Sequence, residues 1–238
     1  SLSVKDSYIS AWNKNGRKPL RIVDKVSLLS HAETFKNAFE HELSDCGFYY
    51  AVKCNNYPEV SRAAVSCGYG LDVSSGDELQ LALSLSAGKI EFSGPGKTEA
   101  ELDLAASHAG SVTVLLDSFS ELDALAKAAE RAHTIVRCGV RMLPPGGWEK
   151  FGIIPEDLEE FFTRASSYSS ISLDGIQFHT SWNMNSTQQI LAVTALSRRL
   201  KTWSEDELKR IKFIDIGGGY WPEKGEWLRS PEAETGKY

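Results

Sequence analysis

Short apolar runs alternate with helical patterns at regular intervals from about residue 20 to residue 216, and no other feature constrains the fold of this chain so tightly. Seven runs read as strands: Phe48–Val52, Gly70–Val73, Lys89–Phe92, Val112–Leu116, Thr134–Val140, Gly175–Phe178 and Lys212–Ile216. They are mostly β-branched or aromatic and read as apolar on both faces, as a parallel sheet covered by helices requires. An eighth run, Leu20–Val23, precedes the first long helix. Between the runs, Ser75 with Glu78, Thr98 with Glu101, Ser118 with Glu121 and Ser186 with Gln189 carry capping-box spacing, the start signal of a helix. Leu28, Ala32, Phe35 and Phe39, and then Ile190, Val193, Leu196, Leu200 and Trp203, keep helical spacing and are predicted to lie against the sheet. Repeated βα units in 238 residues predict an α/β fold, a TIM (β/α)8-type barrel, which takes about 250 residues.

Composition narrows the function. With 26 basic and 32 acidic residues the net charge is −6, so the chain has no basic surplus to neutralise a nucleic-acid backbone or an anionic membrane surface. No stretch approaches the roughly 18 apolar residues of a bilayer span. Cys46, Cys54, Cys67 and Cys138 show neither metal-ligand spacing nor the density of a disulfide scaffold, which points to a reducing, cytoplasmic setting and no metal site.

In such a barrel the chemistry sits at the carboxyl ends of the strands. The polar residues there are Lys53, Asp72 with Ser74, Ser93, Asp117, Arg137 or Arg141, His179 and the run Gly217–Gly219. A lysine closing an apolar strand is expected to be partly desolvated, which frees its amine as a nucleophile toward carbonyls; a lysine snorkelling to solvent is the structural alternative. A glycine run after the seventh strand suits a phosphate held by bare backbone N–H groups, or a tight turn. Together they suggest a ligand with one aldehyde and one phosphate, either pyridoxal phosphate or a phosphorylated sugar in a Schiff-base aldolase.

The segment Tyr50-Ala51-Val52-Lys53-Cys54-Asn55 resembles the YAVKAN or YAVKCN motif of the fold-type III, pyridoxal-phosphate-dependent amino-acid decarboxylases, the ornithine, diaminopimelate and arginine decarboxylase family, whose barrel is of the alanine-racemase type. Further similarities follow in the family's order: Asp72–Leu79 to its second-strand motif, Ser93-Gly94-Pro95-Gly96-Lys97 to GPxK, Arg141-Met142-Leu143-Pro144 to RxNP, Lys150-Phe151-Gly152 to KFG, Phe178-His179 to the FH before HxGS, and Asp215–Gly219 to DxGGG. The resemblance runs from about Pro19 to Tyr220. It implies pyridoxal 5′-phosphate as cofactor, held by Lys53 as an internal aldimine, with His179 stacked on the pyridine ring, Asp72 near the lysine, Arg141 near the cofactor and Gly217, Gly218 and Gly219 cradling the phosphate. Glu78 matches an acidic family position, with helix capping as its alternative role. Two departures stand out. His179-Thr180-Ser181-Trp182 replaces HxGS, so that Ser181 is expected to take over the hydroxyl contact to the phosphate, and Leu143 replaces the asparagine of RxNP.

The family also has an eighth strand with an EPGR segment and a β-domain that completes a shared dimer site. Neither is plainly present, although Glu234–Tyr238 echoes EPGR. The expected organisation is therefore an N-terminal segment, residues 1–26, whose strand would join the absent β-domain, followed by about seven of eight βα units over residues 27–238. The resemblance implies decarboxylation of an amino acid, by default a diamino or basic one, in a full-length homodimer. The alternatives are a racemase of the same fold and a non-catalytic decarboxylase-like or cofactor-carrier protein.

Overall fold

The computed structural model describes residues 4–146, 150–180 and 185–220. After helices α1 (Val4–Lys14) and α2 (Lys25–Glu40), strands and helices alternate through β1 (Tyr49–Ala51), α3 (Pro58–Ser66), β2 (Gly70–Val73), α4 (Gly76–Ser84), β3 (Ile90–Phe92), α5 (Glu99–Ser107), β4 (Val112–Leu116) and α6 (Phe119–Arg131). The series continues with β5 (Val136–Arg141), α7 (Leu158–Ala165), β6 (Ile171–Gln177), α8 (Thr187–Leu200), α9 (Glu205–Leu208) and β7 (Phe213–Asp215). All seven strands are parallel and pair in sequence order from β1 to β7. β6 begins earlier than its apolar run suggested because Ile171 and Leu173 alternate with polar residues before Gly175.

That alternation of period two organises the whole sheet and corrects the expectation of two apolar faces. Leu71, Val73, Ile90, Phe92, Val112, Val114, Val136, Cys138, Val140 and Ile176 are buried beneath the helices, each large side chain contributing roughly 1.5–3 kcal/mol. Between them Asp72, Glu91, Thr113, Arg137, Arg141, Gln177 and Asp215 line the concave side. The sheet curls around this polar interior. Phe213 of β7 lies against Gly139 of β5 and Gly175 of β6, so a Cβ on Gly139 would come within 2.9 Å of its ring. Across the interior, Tyr49 of β1 feels Asp215 of β7 and Arg137 of β5, and its phenol is pushed up to about 12, chiefly by burial. Among the described residues no bridge joins β7 to β1, so the seven strands form an incomplete barrel, open between its first and last strands.

Helices near this opening depart from the predicted packing. None of the described residues of α2 is buried, and Phe35 and Phe39 instead join Phe48 and Tyr220 in an aromatic cluster with ring separations of 5.0–6.2 Å. In α8, Ile190 and Val193 are exposed. The inward face runs through Ala192 and Leu196 toward partly buried Leu200 and buried Trp203, a spacing disguised in the sequence by the small Ala192. Residues 18–24 carry no strand, so the strand expected at Leu20–Val23 is absent: among the described residues no other strand pairs with this segment.

Of the four predicted capping boxes only Thr98 with Glu101 is complete, and Ser186 makes no side-chain cap at all. Ser75 and Ser118 cap their helices, but the carboxylates of Glu78 and Glu121 turn to other amides. Glu78 accepts from Ser74 N (2.8 Å), Glu101 from Gly76 N (2.6 Å) and Glu121 from both Lys97 N (3.1 Å) and Asp117 N (2.8 Å). Glutamates in the first turns of α4, α5 and α6 thus pin the loops that follow β2, β3 and β4. They fix one rim of the barrel with charge-assisted hydrogen bonds.

Candidate active site

The pinned rim is the carboxyl-terminal end of the strands, and one cavity of about 1560 Å³ opens there and extends through the barrel interior. Lys53, Asp72, Arg141, His179 and Gly217–Gly219 all line it, as do Ser74, Ser93 and Asp117. These side chains project inward because each is an inward-facing strand residue, sits at an even-numbered step from one, or lies on the turn just beyond it.

Lys53 sits on the one-turn 3-10 helix Val52–Cys54 that follows β1, and it is exposed rather than partly desolvated. Asp72 accepts a 2.5 Å hydrogen bond from Ser93 Oγ. Its carboxyl is nevertheless pushed above its ordinary range by burial, an effect that Ser93, the Lys53 ammonium and Arg141 oppose.

His179 follows β6. Burial, together with the positive charges of Lys53 and Arg141, pushes its pKa down to about 4, so the ring is neutral at physiological pH. Gly218 N–H donates to its Nδ1 over 3.4 Å, which leaves the proton on Nε2. Gly217 and Gly219 both have positive φ (71° and 79°), and Gly217 N–H donates to Asp215 Oδ1 over 2.8 Å. A Cβ on Gly217 would lie 2.6 Å from the carbonyl oxygen of Phe178, so only glycine fits. Above Gly218, by contrast, a Cβ would meet no atom within 4 Å.

Arg141 ends β5. Its Nη1 contacts Asp117 Oδ1 at 3.3 Å, and its guanidinium lies 5.4 Å from the centre of the Phe151 ring. The backbone around it is clamped: Ile153 N donates to Arg141 O and Leu143 N to Ile153 O, each at 2.8 Å. Gly152 (φ 106°) makes this approach possible, since a Cβ there would come within 2.8 Å of Arg141 O. This accounts for the Lys150-Phe151-Gly152 segment as part of the rim. Arg137 faces the interior further down and pairs with Asp174 at 2.9 Å, away from the rim. Glu78 completes no capping box: it accepts from Ser74 N, ahead of the Ser75 cap, and it does not line the cavity. Ser181 and Trp182, and the Glu234–Tyr238 segment, lie outside the described residues.

Three site features escaped the sequence reading. Glu91, on the inner face of β3, is buried and pushed up to about 9 by burial and by Asp215 and Asp72. Asp117 was noted only as a strand-end residue, yet it holds Arg141. Behind it, Lys97 and Glu121 form a buried ion pair at 3.4 Å. An acidic residue between two apolar ones in Ile90-Glu91-Phe92 was the available signal for the first, and the turn Gly94-Pro95-Gly96-Lys97 for the last.

The pyridoxal-dependent decarboxylase family, through its pyridoxal binding domain, matches residues 27–229. The chain belongs to this family. Its cofactor is pyridoxal 5′-phosphate. Among curated relatives, a diaminopimelate decarboxylase of Halalkalibacterium halodurans is 30% identical over 219 residues, covering 85% of this chain and 50% of that protein. A chloroplastic ornithine decarboxylase of Nicotiana glauca is 26% identical over 222 residues, covering 90% and 49%. The solved lysine/ornithine decarboxylase of Vibrio vulnificus, complexed with putrescine, superposes with a TM-score of 0.77 at 24% identity, covering 92% of this chain and 58% of that one, and so shares the fold. The chain spans about half the length of the curated relatives it matches.

The residues of the cavity suit the family cofactor. Gly218 leaves open space above the loop, Lys53 offers an amine at the cavity wall, and two buried polar atoms of the rim, Asp117 Oδ2 and Arg141 Nε, have no partner among the described residues. No helix among the described residues is long and apolar enough to cross a membrane, and no group of three or more His, Cys, Asp or Glu there could hold a metal ion.

Proposed function

We propose that this chain is the cofactor-binding barrel of an amino-acid decarboxylase acting on a diamino or basic amino acid, with Lys53 as the residue that carries the cofactor. The observation that supports this reading most strongly is the convergence of Lys53, Asp72, Arg141, His179 and the glycine run on one cavity, although they come from five different strand ends. When bound, pyridoxal 5′-phosphate supplies an electron sink for the charge left on the α-carbon as carbon dioxide departs.

The chain's own residues do the rest. Lys53 presents its amine at the cavity wall, where it acts as the nucleophile toward an aldehyde. Asp72, held by Ser93, feels the positive charge of Lys53, which favours its carboxylate beside the amine. His179 stays neutral, its Nδ1 tied to the glycine loop, so it contributes a polarisable ring without adding charge. The Gly217–Gly219 loop, where Gly218 leaves open space, receives the phosphate together with the Ser181 hydroxyl. Ornithine, lysine and diaminopimelate are the substrates to test, since the names of the relatives and neighbours specify them or their decarboxylases. In the whole protein a second copy of the chain would complete each site.

The test is direct. Protein incubated with pyridoxal 5′-phosphate is expected to turn yellow and, with a panel of diamino and basic amino acids, to release carbon dioxide. Cofactor uptake without release from any member of the panel contradicts the decarboxylase assignment, and racemised substrate in its place identifies a racemase.

A further inference from the structure

Beside the cavity lies a chain of charged groups, Lys97, Glu121 and Asp117, to which the proposed function gives no role and which leads to Arg141. Lys97, with a side chain only 2% exposed, donates from Nζ to the carbonyl oxygens of Gly94 and Leu115 (2.6 Å each) and to Glu121 Oε2 (3.4 Å). Glu121, 7% exposed, returns its carboxylate to the backbone N–H groups of Lys97 and Asp117. Asp117, also 7% exposed at its side chain, directs Oδ1 to Arg141 Nη1. The series runs Lys97, Glu121, Asp117, Arg141 and ends at the cavity.

Asp117 Oδ2 and Arg141 Nε are buried and have no partner among the described residues. A carboxylate retained only for stability is expected to have both oxygens satisfied, because a buried unpaired polar atom costs about 1–3 kcal/mol. Here the unspent valences belong to two side chains that both line the cavity, one an acceptor and the other a donor.

On the reading that this cavity holds pyridoxal 5′-phosphate, we infer that Asp117 is a positioning residue: it fixes the guanidinium of Arg141 for the cofactor, and the Lys97–Glu121 pair fixes Asp117 in turn. Geometry supports the direction of action. Glu121 holds the backbone of Asp117, so the carboxylate leaves a rigid point, whereas Arg141 reaches it from the end of β5 with one long flexible side chain. Removing Asp117 should therefore release the arginine and leave the rim in place. Lys97 and Glu121 are poorer probes, since breaking a buried ion pair strands a charge and threatens folding.

The experiment is a double-mutant cycle read by equilibrium binding of pyridoxal 5′-phosphate to the chain, with folding checked by circular dichroism and thermal melting. Asp117→Ala should weaken binding about tenfold, whereas Asp117→Ala added to Arg141→Ala should weaken it no further, since the two residues act as one unit. Asp117→Asn keeps an oxygen acceptor for Arg141 and should recover part of the loss. If Asp117→Ala does not fold, Asp117→Asn is read through the same cycle. Equal losses with and without Arg141, or no loss in the unmodified background, overturn the inference while leaving the cofactor reading intact. Failure of the unmodified chain to bind the cofactor overturns both.

Discussion

Replacing Glu91 by glutamine should stabilise the chain at alkaline pH, by an amount that follows from where the side chain sits. Glu91 points into the barrel from β3, is only 7% exposed, and shares the interior with Asp72 and Asp215. Burial and those two carboxylates raise its pKa to about 9 from an ordinary value of 4.5. In the unfolded chain Glu91 ionises in its ordinary range, whereas in the folded chain it keeps its proton. Between those two pKa values the folded state thus binds the extra proton, and stability falls as pH rises, by about 1.4 kcal/mol per pH unit for one proton. Asp215, raised to about 6, completes most of its own contribution at lower pH. From about pH 7 to about pH 8.5 the loss due to Glu91 is therefore roughly 2 kcal/mol, and Glu91→Gln should abolish it. Urea denaturation of both proteins at the two pH values measures this difference. Parallel pH dependence in the unmodified protein and the variant would refute the buried, protonated state of Glu91.

Other predictions separate stability from binding. Gly217→Ala should destabilise the fold by about 1–3 kcal/mol, because its φ of 71° disfavours a side chain and the new Cβ would press on Phe178 O; thermal melting reads this. Gly218→Ala has open space and should melt within about 0.5 kcal/mol of the unmodified chain, yet lose phosphate-dependent cofactor affinity; unchanged affinity in titrations would argue against the cradle. For His179, whose folded pKa of about 4 lies below its ordinary 6.5, the unfolded state binds the extra proton, so stability should fall as pH drops from about 6.5 toward 4. His179→Gln should flatten that window in acid denaturation curves, and an unaltered slope would show that the ring titrates normally.

Most of the barrel was legible because strand and helix periods leave separate marks. Seven runs became seven strands, and the strand-end rule located Lys53, Asp72, Arg141, His179 and the glycine loop together. The inner face was harder to read. Arg137 and Arg141 flank the apolar pair Cys138 and Val140, and Glu91 sits between Ile90 and Phe92, so short runs looked uniformly apolar although every second residue faces a polar interior. The role of Asp117 was illegible for a different reason. It depends on Arg141, 24 positions away, and on Glu121, whose spacing from Ser118 also fits a plain capping box. Exposure of Ile190 and Val193 likewise depends on which face of α8 meets its neighbours, and helical spacing alone does not specify that.

The most direct test of the central claim is the covalent address of the cofactor. Borohydride reduction of the protein with pyridoxal 5′-phosphate, followed by proteolysis and mass spectrometry, should place one pyridoxyl group per chain on the peptide containing Lys53, and Lys53→Ala should abolish the label. A label on another lysine, or none on the unmodified protein, would contradict the account.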